Sequence, residues 1–239
     1  MTANEIITRS NALYAQCTSY VDTGCVLTNY QRSKHPAVDW KNKKPFKTAF
    51  VRPDRFRFEF SDSFPNSTKY HRYIIAATGS DVSTWWDIRP GVERAESLSM
   101  AIAGATGVSS GSAYEIPTLL MRDLFPPKTN WSHVEFARLD DGEIEDSLTF
   151  RIERRYRIDP AAQQIMRDEA TKALGWSPPE FDHLPDVFWI DQRSFLIRRI
   201  DHSFRHRFFD SDSVTTYEPL INEAVPDELL RFDPPETQG

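Results

Sequence analysis

Apolar and charged residues alternate most clearly between positions 46 and 60. Phe46, Thr48 and Phe50 fall on one side of an extended segment, and Arg52-Pro53-Asp54 marks a turn. Phe56, Phe58 and Phe60 then alternate with Arg55, Arg57 and Glu59. A period of two, with one greasy and one charged side, belongs to antiparallel strands buried on one face. The same pattern predicts strands over Tyr70–Ala77 and Asp81–Ile88, turning at Thr78-Gly79-Ser80, and a short strand over Val92–Ala95 after an Arg89-Pro90-Gly91 turn. Trp131–Leu139 and Ser147–Ile158 read as strands joined through Asp140-Asp141-Gly142, with Leu148, Phe150, Ile152 and Tyr156 on one face of the second. On the same stretch Arg151, Glu153, Arg154 and Arg155 read as a wet face with cross-strand pairs.

Helical spacing interrupts this pattern. Thr2-Ala3-Asn4-Glu5 fits a capping box, and Ile6, Ser10, Leu13 and Cys17 follow on one helical face, ending near Ser19. Tyr20–Tyr30 is expected to be the first strand, with Gly24 as its weak point or a bulge, and Ser33–Lys44 a polar, basic loop. Leu98, Met100, Ala101, Ile102 and Ala105 predict a small-residue helix that Gly104, Gly107 and Gly111 break. Ile116–Met121 predicts another, begun by Pro117. Asp159 as N-cap and Pro160 open a helix carrying Ala162, Ile165, Met166, Ala170, Ala173 and Leu174, with Gly175 at its end. Trp176–Asp186 is a proline-rich loop.

The last third reads as a meander. Phe188-Trp189-Ile190 is a short strand, Asp191–Ser194 a turn, and Phe195–Phe204 a returning strand. Asp210–Ser213 is expected to turn the chain into Val214–Tyr217, before a proline-bounded close at Phe232–Pro235. The fold class is therefore α+β: an open, strongly curved antiparallel sheet, a half-barrel, with helices on its concave face. No linker divides the 239 residues, so 1–239 is expected to be one domain, with 159–186 as a helical insertion.

Composition narrows the function classes. Sixteen Phe and 39% apolar residues supply a core. A net charge of −6 gives no support for nucleic-acid binding. No apolar run is long enough for a transmembrane helix, and no export signal is visible at the N-terminus, so sequence alone reads as cytoplasmic. Cys17 and Cys25 can be two free thiols or, in an oxidising compartment, a bridge.

Catalytic chemistry is thin. Gly107-Val108-Ser109-Ser110-Gly111 matches the G-x-S-x-G elbow, but that motif needs a strand before it and a helix after it. His202 and His206 share a strand face, as metal ligands would, yet Arg205 and Arg207 beside them suit a solvated basic strand. Trp85 and Trp86 must face opposite ways, one inside and one exposed or covered by another element. No cofactor or metal is expected, and the chain reads as non-enzymatic.

Three segments, in order, resemble the LolA-like proteins, outer-membrane lipoprotein carriers and their relatives. Phe188-Trp189-Ile190-Asp191-Gln192-Arg193-Ser194-Phe195-Leu196-Ile197-Arg198-Arg199 is similar to their W-(I/V)-D-x-x-(S/T)-x-L-x-R segment. Tyr217, Asn222, Val225-Pro226 and Phe232-Asp233-Pro234-Pro235 resemble their closing stretch, and Pro53–Phe58 their early strand turn. The resemblance implies a half-barrel whose helices plug the hollow, holding acyl chains or another apolar ligand. The lining it implies is Phe46, Phe50, Phe56, Phe58, Phe60, Trp86, Leu98, Met100, Ile102, Leu119, Phe150 and Ile152. The phenylalanines can equally be ordinary core; the difference is whether an empty volume remains. Met100 and Met121 are adaptable packers suited to either role. The implied location is the periplasm or cell envelope, and the implied partner a lipid or lipoprotein acyl chain, with a monomer expected. The alternative is a sensor of the RseB type that regulates a membrane-anchored protein.

Overall fold

The computed structural model describes residues 1–31, 40–63, 70–125, 132–158, 160–175, 182–205 and 210–235. Helix α1 (Ala3–Gln16) opens on the expected capping box: Thr2 Oγ1 accepts from Glu5 N, and Glu5 returns the bond to Thr2 N. It leads into β1 (Ser19–Gln31), β2 (Trp40–Val51), β3 (Arg55–Ser63), β4 (Tyr70–Thr78), β5 (Asp81–Trp86) and β6 (Arg89–Arg94). Helices α2 (Leu98–Val108) and α3 (Glu115–Leu120) follow, then β7 (Ser132–Arg138), β8 (Gly142–Ile144) and β9 (Ser147–Ile158). Helix α4 (Pro160–Leu174), β10 (Asp182–His183), β11 (Asp186–Asp191), β12 (Ile197–Arg205), β13 (Asp210–Tyr217), β14 (Leu220–Ile221) and α5 (Asp227–Leu230) complete the chain.

The strands form one antiparallel sheet of 14, in the order β6-β5-β4-β3-β2-β1-β13-β12-β11-β9-β7, with β8, β10 and β14 paired beside β9, β12 and β1. It is open: β6 and β7 are not joined. Eleven strands laid flat would span roughly 48 Å at about 4.8 Å per step. Yet Phe58 and Val82 near one end and Phe150 and Ile152 near the other share one core with α1, α2 and α3. Only a sheet bent around those helices allows that, which gives the half-barrel its physical meaning.

Register explains the burial. Phe46 faces Phe60, Thr48 faces Phe58 and Phe50 faces Phe56, all on the concave side. Their neighbours Ala49, Arg57 and Ala76, with Glu59 and Ile74, line the convex side. That side has its own cover. Helix α5 crosses β2 and β3, Leu230 is buried, and Asp233 accepts from Arg57 Nη2 at 2.7 Å and Arg72 Nη2 at 3.3 Å. Trp85 is buried on this convex face, and Trp86, half-buried on the concave one, meets Tyr73 edge-on at 5.8 Å.

Several boundaries differ from expectation. Residues 40–44 are strand, not loop. Lys41, Lys43 and Lys47 are exposed while Lys44, Phe46 and Thr48 are buried, so the alternation is real but written in lysines. Tyr30 stacks on Trp40 at 4.4 Å and fixes that register. Gly104 and Gly107 lie inside α2, held helical by the burial of Ala101, Ile102 and Ala105; the chain leaves the helix at Ser110 and Gly111, with φ of 55° and 89°. The β8–β9 turn sits at Glu145-Asp146, where φ of 47° and 64° suits a tight hairpin, not at Asp140–Gly142. Arg89–Gly91 and Asp210–Ser213 lie in strands β6 and β13 rather than in turns. Gly24 marks no bulge: β1 runs in continuous register past it, and a Cβ there would strike the Phe46 ring and Thr216 O. Residues 32–39, Trp131, Asp159, 176–181 and the pair His206 and Arg207 lie outside the described residues.

Candidate functional site

Helix α2 packs on β4 and β5 and α3 on α1, in one core with the concave face of the sheet. Past the end of α2 the sheet is left open. A cleft of about 560 Å³ separates Thr106–Gly111 and Glu115 from strands β1, β13 and β12. Its sheet wall is built of rungs that set apolar beside polar groups: Ile200 opposite Thr215, His202 opposite Ser213, and Phe204 opposite Ser211. Thr28 and Ser213 hydroxyls bond to each other at 2.8 Å. At the inner end stands Tyr217, buried, with its ring edge-on to Phe46 at 5.6 Å. Tyr217 therefore divides the open cleft from the closed phenylalanine core.

One wall of the cleft carries a charge cluster. Arg154 on β9 sits on the concave face beside Asp186 on β11, its cross-strand partner. Its Nε and Nη2 donate to Asp186 Oδ2 at 2.9 and 2.6 Å, and its Nη2 and Nη1 donate to Glu115 at 2.9 and 3.2 Å. Phe188 and Tyr156 flank the guanidinium at 4.6 and 5.0 Å. The other Asp186 oxygen lies 2.5 Å from His202 Nδ1. Burial pushes the Asp186 carboxyl up, but the bonds from His202 and Arg154 outweigh it and hold it below the usual carboxylate range. The Asp186 bond, against the opposing effect of burial, raises His202 above the ordinary imidazole value. With His202 protonated the cluster is balanced, two cations against two carboxylates.

Two further cations tie the helices to the sheet. Lys44 Nζ donates to Val108 O at 2.7 Å, at the carboxyl end of α2, and pairs with Asp62 at 3.2 Å. A cation there meets the negative end of the helix dipole. Arg52 donates to Cys17 O and Leu120 O, both at 2.9 Å, joining the ends of α1 and α3.

Of the residues expected to line an apolar hollow, Phe46, Phe50, Phe56, Phe58, Phe60 and Ile102 are at most 3% exposed and pack against one another. Phe150 and Ile152 are buried in the same core, and Leu119 is half-buried against it. None of these borders the open cleft. Leu98 borders a separate hollow of about 370 Å³ next to Arg52 and Met121. Trp86 borders a smaller one of about 160 Å³ with Gly104 and Val108. Met100 stands exposed at the edge of a hollow of about 300 Å³ that it shares with Tyr73 and Thr84.

Arg154 corrects the wet-face expectation for its stretch. It lies two residues after Ile152, so strand parity alone points it inward; the run of three charged residues Glu153-Arg154-Arg155 hides that parity. His202 is likewise paired rather than merely solvated. Glu115, Asp186 and the hydroxyls of β13 carry no motif. Ser109 is fully buried as the C-cap of α2, its Oγ donating to Thr106 O at 3.3 Å and accepting from Ala113 N at 3.1 Å. Such a hydroxyl is not an exposed nucleophile. Cys17 and Cys25 are free thiols, the first buried and the second half-buried. Among the described residues no group of three or more His, Cys, Asp or Glu could hold a metal ion, and no helix is long and apolar enough to cross a membrane.

No protein-family model matches the chain, and no curated protein matches it in sequence. Solved structures do match along nearly its whole length. LprF from Mycobacterium bovis is 11% identical, with 94% of each chain covered and a TM-score of 0.42. A DUF1329 family protein from Desulfovibrio piger is 8% identical over 96% of this chain and 95% of that one, with a TM-score of 0.39. A LolA superfamily protein from Nitrosomonas europaea is 13% identical over 97% and 98%, with a TM-score of 0.32. The matched structures thus include a LolA superfamily member, the group that the segments around Trp189 and Asp233 resemble.

Proposed function

We propose that this protein is a non-enzymatic binder or carrier of an amphiphile, a lipid or a lipoprotein acyl chain, taken up between the sheet and its helices. The observation that carries this is the cleft between α2–α3 and β1, β13 and β12, where Tyr217 lines the cleft and sets its ring edge-on to Phe46 of the phenylalanine core. Burying methylenes there releases about 0.8 kcal/mol each. Roughly ten would give ~8 kcal/mol before ordering costs, enough for carriage without covalent chemistry. Ile200 and Phe204 offer apolar surface at the mouth, and a chain passing Tyr217 would run among Phe46 and its neighbours. On this proposal residues 1–239 act as one domain with 159–186 inserted, and the work is done in the cell envelope, as the resemblance implies.

Native mass spectrometry on gently purified protein, with displacement of a fluorescent fatty acid, tests it. A co-purifying acyl ligand and saturable displacement are expected. Finding neither removes the proposal. A second reading, docking of a membrane-anchored protein, is favoured by α2, where Met100, Ala103, Gly104 and Gly107 share a helical face and are exposed and uncharged. Recovery of such a partner free of lipid would support that reading over carriage.

A further inference from the structure

The cleft also has a polar end, and its chemistry is specific. Asp186, with its side chain 5% exposed, holds Nδ1 of His202 with one oxygen while Arg154 holds the other. That leaves Nε2 as the free nitrogen of a ring that lines the cleft. The groups facing His202 are Asp186 on β11, Glu115 on α3 and Arg154 on β9, with the Ser213 hydroxyl opposite on β13. Every charge in this set is already matched by another. An anionic head would meet the Glu115 carboxylate, which also lines the cleft, and among the described residues neither Lys nor Arg lines it. A cationic head would meet the imidazolium. Among the described residues, what remains unengaged is one imidazole N–H and the hydroxyls of Ser110 and Thr215, beside apolar Ile200 and Phe204; the Thr106 hydroxyl already donates to Ile102 O at 2.8 Å.

We propose that this end of the cleft recognises the uncharged, ester- or hydroxyl-bearing head of an amphiphile, with His202 Nε2–H donating to a carbonyl or hydroxyl oxygen. The proposal rests on the carrier function above and names the ligand class for it. The donor exists only while the ring is protonated; neutral imidazole, with Nδ1–H turned to Asp186, presents a lone pair at Nε2. Because the partner raises the His202 proton affinity, the donor persists through pH 6.5 and is lost as pH rises above the free-imidazole range.

The test uses the full chain and two probes sharing one acyl chain: 1-monooleoylglycerol, uncharged at every pH used, and oleoyl lysophosphatidic acid. Binding is measured by titration calorimetry at pH 6 and pH 9, for wild type, His202→Gln and Thr215→Val, each checked for an unchanged melting curve. Wild type is expected to favour the glycerol ester at pH 6 and to lose about 3–10-fold in affinity for it at pH 9, the worth of one hydrogen bond. His202→Gln should abolish that pH dependence, and Thr215→Val should weaken the glycerol ester alone. Should His202→Gln not fold, the wild-type pH profile and Thr215→Val decide. Equal binding of both probes, unaffected by pH or by either substitution, overturns head recognition and leaves the carrier function standing. Binding of neither probe overturns both.

Discussion

Asp22 is the buried group whose perturbation can be worked through most fully. It lies on the concave side of β1, 1% exposed, and its partners are Tyr20 Oη at 3.0 Å and Glu218 N at 3.3 Å. Neither partner is a cation. Burial pushes its carboxyl from 3.8 up to about 7, with the two hydrogen bonds pulling weakly the other way. The raised value makes the folded state the better proton binder between pH 3.8 and 7. Unfolding then releases a proton, so stability falls as pH climbs through that window. At about 1.4 kcal/mol per unit the full window is worth ~4 kcal/mol, and the part between pH 5 and pH 7 is worth ~3 kcal/mol. Asp22→Asn keeps the shape and the acceptor oxygen but cannot ionise. Urea unfolding of both proteins at pH 5 and pH 8, read by tryptophan fluorescence, isolates the Asp22 contribution because every other titrating group is common to the two. The variant should lose about 2–3 kcal/mol less than wild type across that range. Parallel pH profiles would refute the assignment of a protonated carboxyl under the sheet.

Other expectations follow from single contacts. Lys44→Met leaves Asp62 without its cation and the end of α2 without its tie; a loss of about 3 kcal/mol, or roughly 6–12 °C in Tm, is expected by calorimetry. Gly24→Ala drives a methyl group into the Phe46 ring and Thr216 O and should cost about 1–3 kcal/mol in denaturant unfolding, whereas Gly104→Ala, with open space around it, should be neutral or stabilising. Ser109→Ala should leave p-nitrophenyl ester turnover at the wild-type background while costing about 1 kcal/mol of stability; a selective fall in turnover would contradict the structural role of this hydroxyl.

The fold was legible where periodicity was carried by apolar residues. Phe46–Phe60 declared its pleat, its turn and its buried side without ambiguity. It was illegible where the alternation was written in charge: Lys41–Lys44 is a strand because Tyr30 stacks on Trp40 and Lys44 finds Asp62, both long-range facts. Gly104 and Gly107 looked like breakers because intrinsic propensity disfavours them, yet burial of Ala101 and Ala105 holds the helix. The charge cluster was harder still. Glu115, Arg154, Asp186 and His202 come from four elements spread over the chain, and only the bend of the sheet brings them together.

The order of the strands has a consequence for biosynthesis. Strand β1 stands near the middle of the sheet, but its partner β13 leaves the ribosome only after β2 to β12, and Thr18 is tied to Asn222, 204 residues later. At about 5–20 residues per second, roughly 10–40 s pass with β1 offering a bare backbone edge and a greasy flank. For that interval the nascent half-sheet is a template for stray strands, so the demand for chaperones should be concentrated on β1 and not on the helices that later cover it.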